Sequence, residues 1–156
     1  MMIKTHLAIT FLFILIFIPH ISHLSHKILF FVVVLISSML PDIDIRYSTL
    51  GKNKLARPLQ LFVKHRDFVH SFTFCLILTL ILVFLYPILA LSFFIGYSIH
   101  LFIDSFTPEG IAFFWPYKLK SKGRIKTGSM VDKSLFLIFL VLDIIALIFI
   151  IIGFFG

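Results

Sequence analysis

His100 and Asp104 stand four residues apart in an apolar run, and Gly96 precedes them by another four. On a helix this spacing puts all three on one face. An imidazole and a carboxylate one turn apart can reach a single metal ion, and the glycine would admit a second helix closely; the pair could equally be a hydrogen bond joining helices. Three further segments carry related residue types. Leu40-Pro41-Asp42-Ile43-Asp44 sets two carboxylates after a proline break. Such acids repel unless a cation or basic side chain lies between them, although a solvated turn beside Arg46 would also serve. His65-Arg66-Asp67-Phe68-Val69-His70-Ser71 offers two imidazoles, a carboxylate and a guanidinium able to clamp an anion bidentately. Asp67 could simply favour a helix N-terminus. Thr107-Pro108-Glu109-Gly110 reads as a tight turn, in which Glu109 is either a general base for an attacking water or a turn residue.

Other polar residues admit plainer readings. His6 lies one turn into the first apolar segment, where a lone histidine is more often a helix contact than a ligand. Ser129-Met130-Val131-Asp132 reads as a capping box opening the last helix, which gives Asp132 a structural role. His20, His23 and His26 recur every three residues and form either a second metal patch or, the reading preferred here, a polar interfacial stretch. Asp143 falls mid-way along the last apolar segment, where an ionisable residue suggests function but a protonated carboxyl bonded to a neighbouring helix would also fit.

The elements that must position these groups are membrane helices. Of 156 residues 60% are hydrophobic and 13% charged, more apolar surface than a soluble domain of this length can bury, so the bilayer is its solvent. The expected fold is all-α, a polytopic bundle of about five transmembrane helices. Apolar segments run from about Ile3 to Pro19, from Ile21 or Ile28 to Leu40, and over Phe68–Tyr86, Pro87–Phe106 and Ser134–Phe155. The last three have the ~20 residues a span needs, while the first two are short or marginal. Proline at position 87 suits a first helical turn, so the third and fourth segments are expected to form a tight hairpin. Lys4 followed by Leu7–Ile18 has the shape of a signal peptide, but no small-x-small cleavage site follows and a retained first helix is expected. The lone Cys75 can form no intramolecular disulfide.

Charge sets the orientation. With five spans, every one of the 14 Lys and Arg residues except Lys27 falls on one side, with the N-terminus and the two long loops. The positive-inside rule places that side in the cytoplasm and the C-terminus outside. The net charge of +7 is thereby explained without nucleic acid, and the basic face attracts anionic lipid headgroups. The loop beginning Ile111-Ala112-Phe113-Phe114-Trp115-Pro116-Tyr117 is aromatic enough to lie among those headgroups. Six of the seven acidic residues and His6, His65, His70 and His100 also map to this face. Convergence of such residues from several helix ends is the pattern of a hydrolytic metal site, with three or more ligands and open water positions.

Thr5-His6, then Pro41-Asp42-Ile43-Asp44, then His65-Arg66 with His70-Ser71, then Gly96, His100 and Asp104 followed by Thr107-Pro108-Glu109-Gly110, resemble in order the YdjM-like family of inner-membrane proteins. Its members are usually described as metal-dependent hydrolases. The resemblance runs from His6 to about Asp132; the last helix carries no marker, and Asp132 stands where the family usually has Glu. It implies one membrane-embedded hydrolase-like domain over residues 1–156 and a divalent metal, zinc being favoured. More distantly the pattern is similar to the helical zinc-dependent phospholipase C and single-strand nuclease group. That likeness implies phosphoester cleavage, with a lipid or lipid-linked substrate at the membrane face.

Together these readings name His6, Asp42, Asp44, His65, His70, His100 and Asp104 as metal ligands, Arg66 as the anion clamp and Glu109 as the proton-transferring group. The alternative is a non-enzymatic protein, a metal or solute carrier or a structural partner, using the same residues. A carrier would need polar groups through the bilayer, and only Asp143 with scattered Ser and Thr offers them. The chain has no His-Glu-x-x-His motif of zinc proteases, no Gly-x-Ser-x-Gly elbow and no Pro-Ser-Gly-His signature of phosphohistidine lipid phosphatases.

Overall fold

Long unbroken apolar runs in this chain form helices because a backbone in hydrocarbon must satisfy its hydrogen bonds within its own segment. The computed structural model describes residues 1–21, 23–44, 66–117 and 119–155. Helix α1 covers Ile3–Phe17 and ends in a 3₁₀ turn, Ile18–His20; α2 covers Leu24–Met39 and ends in another, Leu40–Asp44. A short α3, Arg66–Val69, precedes α4, Phe72–Leu85, and α5, Pro87–Ser105. Strands β1, Ile111–Ala112, and β2, Lys120–Ser121, pair antiparallel, and α6 runs from Met130 to Phe155. The all-α class expected from the sequence is what the chain adopts.

Among the described residues three helical segments are long and apolar enough to cross a membrane: Ile3–His20, Pro87–Ser105 and Met130–Gly153. The first, marginal in the sequence, gains its length from the 3₁₀ turn. The third apolar segment is shorter than its sequence suggests. It breaks at His70-Ser71, where Ser71 adopts an extended backbone and its hydroxyl accepts from the Phe74 N–H, capping α4. Fourteen residues remain in α4, about 21 Å of helix against a hydrocarbon core of about 30 Å. The hairpin between α4 and α5 forms as expected, with Pro87 opening α5 directly after Tyr86.

Packing centres on α5, which lies against α2 and α4, while α1 bridges α2, α5 and α6. Cys75, Phe93, Tyr97, Leu101 and Ile111 form one buried cluster, and Ile14, Phe30 and Val34 a second. Gly96 sits where α2 and α5 cross. A Cβ there would overlap the Ser37 hydroxyl and the Val34 carbonyl, so only glycine permits this approach, as the sequence suggested. The outward faces of α4 and α6 expose Leu, Ile, Val and Phe side chains, a surface suited to lipid rather than water. Between α5 and α6 the chain turns at Gly110, whose φ of +65° favours glycine. It then returns so that the Gly123 N–H meets the Thr107 carbonyl at 2.9 Å.

Candidate metal centre

Four helix ends meet at one end of the bundle. The 3₁₀ turn after α2 brings Asp42, the break before α4 brings His70, the last turns of α5 bring His100 and Asp104, and the first turn of α1 brings His6. One ligand atom from each of Asp42, His70, His100 and Asp104 lies within 4.8 Å of the others. The histidines are buried while the two carboxylates keep partial exposure, as a centre open to solvent or substrate requires.

The Nε2 atoms point at the carboxylates. His100 Nε2 is 3.3 Å from Asp104 Oδ2 and 3.9 Å from Asp42 Oδ1. His70 Nε2 is 4.0 Å from the same Asp42 oxygen. His6 Nε2 lies 3.2 Å from the other oxygen of Asp104, Oδ1, and its ring stands 4.6 Å from that of His100. His6 thus flanks the group of four on the far side of a shared carboxylate. The N-terminal ammonium also reaches Asp104 Oδ1, at 3.2 Å.

What fixes the imidazoles is their other nitrogen. His100 Nδ1 lies 2.8 Å from the Ser38 carbonyl and His6 Nδ1 3.2 Å from the Met2 carbonyl. A carbonyl only accepts, so each Nδ1 carries a proton and Nε2 is the nitrogen turned to the centre, a donor to Asp104 when protonated and a lone pair for an ion when not. Where a ring is neutral its lone pair faces the carboxylate, an arrangement that a bound cation would relieve. The Nε2 atoms of His6 and His100 are buried and, among the described residues, make no well-aligned hydrogen bond beyond these close contacts to Asp104. Ligands around a tetrahedral zinc ion with bonds of about 2.1 Å stand about 3.4 Å apart, and the separations here bracket that value. The donor set therefore fits a divalent ion, with backbone carbonyls orienting the imidazoles from behind.

Supporting residues come from outside the cluster. Asp132 is fully buried and accepts from the Met2 N–H at 2.9 Å, the Thr5 hydroxyl at 2.7 Å and the Gly128 N–H at 2.9 Å. The Ser129 hydroxyl accepts from the Asp132 N–H, which is half of the expected capping box; the carboxylate itself ties α1 to α6 and so places His6. Tyr97, one turn before His100, donates to the Val69 carbonyl at 2.7 Å and holds the segment that presents His70. Ser38 and Tyr97 were not anticipated from the sequence: the Ser37-Ser38 pair ending an apolar helix was the available signal for the first, and the i−3 spacing from His100 for the second.

The remaining candidates are placed as follows. His65 lies outside the described residues, as does Arg46. Asp44 ends the 3₁₀ turn after α2 and Arg66 opens α3, so both backbones stand at this end of the bundle. Glu109 is exposed on the turn that follows α5. His23 and His26 touch ring to ring at 5.2 Å, and His20 bonds the Ile16 carbonyl, at the opposite ends of α1 and α2. Asp143 is buried part-way along α6, and its Oδ1 has no hydrogen-bond partner among the described residues.

Fold and centre together define a small helical membrane protein that carries a His/Asp cluster at one end of its bundle. The chain belongs to the YdjM inner membrane protein family, whose family model matches residues 1–155. No curated protein and no solved structure matches it significantly.

Proposed function

We propose that the chain is a membrane-bound metal-dependent hydrolase that cleaves a phosphoester, carried by a lipid or lipid-linked substrate, at the cytoplasmic membrane face. The observation that carries this reading is the meeting of Nε2 atoms from separate helix ends on Asp42 and Asp104, with the His6 and His100 protons turned away toward carbonyls. A divalent ion held there, zinc by donor type, would polarise the phosphoester and lower the pKa of water. Asp42, His70, His100 and Asp104 hold the ion, His6 flanks them, and Asp44 and His65 are assigned as further ligands from the sequence. Arg66 binds the anionic oxygens of the phosphate. Glu109 takes the proton from the attacking water and returns it to the departing alkoxide. The cytoplasmic side is supported by the concentration of Lys and Arg in the connections that flank the cluster residues in the sequence.

The test is hydrolysis of phospholipids and soluble phosphodiesters by purified protein in detergent. Activity should vanish with chelator, return with zinc, and fall about 10²–10⁴-fold in Glu109→Gln. Hydrolysis that survives chelation, or metal-loaded protein inert toward every phosphoester, contradicts the proposal.

A further inference from the structure

Helix α1 packs against both α5 and α6, yet α5 and α6 make little contact with each other. The wedge left between them is a groove of about 550 Å³, within the roughly 300–1,000 Å³ of ligand pockets. Ile9 and Phe13 form its floor on α1, with Ile99 and Phe102 on one wall and Leu135 and Phe139 on the other. These walls belong to the three segments long and apolar enough to cross a membrane, so the groove opens onto hydrocarbon. Water gains nothing in so apolar a space.

We propose that this groove seats one acyl chain of a membrane phospholipid, with the phosphate end at the His/Asp cluster. The inference rests on the hydrolase reading for what happens at that end. Two observations fix the direction. Met1 lines the groove and its ammonium lies 3.2 Å from Asp104 Oδ1, so one residue borders both groove and centre. Ile125 also lines it and is flanked by exposed Arg124 and Lys126, cations that complement a phosphate at the mouth. From Met1 to Phe13 the groove follows α1 for about 18 Å, slightly more than the depth of one leaflet in a core of about 30 Å. A lipid would thus enter sideways from the cytoplasmic leaflet without leaving the membrane.

The test uses full-length protein in phosphatidylcholine–phosphatidylglycerol vesicles containing a trace of phospholipid with a diazirine in its acyl chain, and maps the adducts by mass spectrometry. Adducts should concentrate on groove residues and fall roughly tenfold in Ile99→Trp and in Leu135→Trp, which fill the groove. Leu137→Trp, on the exposed face of α6, should leave them unchanged, and zinc content should be equal in all three as the check on folding. Adducts spread evenly over α4 and α6 and indifferent to the filling variants would overturn the groove. The two proposals fail separately. Groove adducts that persist in His100→Ala, in a protein whose wild type cleaves no phosphoester, support the groove and sink the hydrolase. Undiminished hydrolysis of long-chain phospholipid by both filling variants sinks the groove and leaves the hydrolase standing.

Discussion

Each imidazole at the cluster that can be followed to its far nitrogen is committed by a backbone carbonyl, Ser38 for His100 and Met2 for His6. Binding a metal then requires only that Nε2 be unprotonated, and uptake competes directly with protons. Zinc affinity should therefore weaken progressively as pH falls, because protons and the ion compete for the same nitrogens, which calorimetric titration at several pH values measures. An affinity independent of pH from about 5 to 8 would mean that the histidines are not ligands. The types and spacing of His100, Asp104, Asp42 and His70 made this group legible in the sequence. The carbonyl partners were not legible, because any residue supplies a carbonyl and only tertiary contact selects one. Asp132 was read locally as a cap, since its partners Met2 and Thr5 lie about 130 positions away in the chain.

At the scale of elements, the centre depends on how closely α2 and α5 approach. Gly96 sets that distance, and the Ser38 carbonyl reaches His100 one turn further along. Gly96→Ala should push the helices apart, costing about 1–3 kcal/mol of stability as an overpacked core does. It should also weaken zinc binding about 10–100-fold by loosening the carbonyl behind His100. Thermal unfolding and titration read the two effects; an unchanged affinity would show that the helix contact does not position the ligand. The close approach was legible from a glycine at i−4 to a histidine. The break at His70-Ser71 was not, because apolar residues continue on both sides and the capping role of Ser71 is fixed only with the loop in place. There the Phe72 N–H donates to the Phe113 carbonyl and the Thr73 hydroxyl to that of Trp115. That same break turns His70 toward the other ligands.

Seen as a whole molecule, the protein gathers its candidate site at one end of an apolar bundle, and the proposed orientation rests on the distribution of Lys and Arg in the sequence. In a Cys75→Ser background, a single cysteine at Lys4 or Lys126 should react with a membrane-impermeant maleimide only after the cells are opened, and one at Lys27 without opening. Labelling of Lys126→Cys in intact cells would reverse the orientation. The helical class and its membrane setting were legible in composition alone, whereas the lengths of the individual spans depended on turns that tertiary contacts fix. The claim on which the rest depends is that the cluster holds a metal, and elemental analysis of detergent-purified protein beside the His100→Ala/Asp104→Ala double variant tests it most directly. Wild-type protein should carry zinc in stoichiometric amount and the variant almost none. Wild-type protein that stays empty after incubation with excess zinc, or a variant that keeps its metal, would contradict the account.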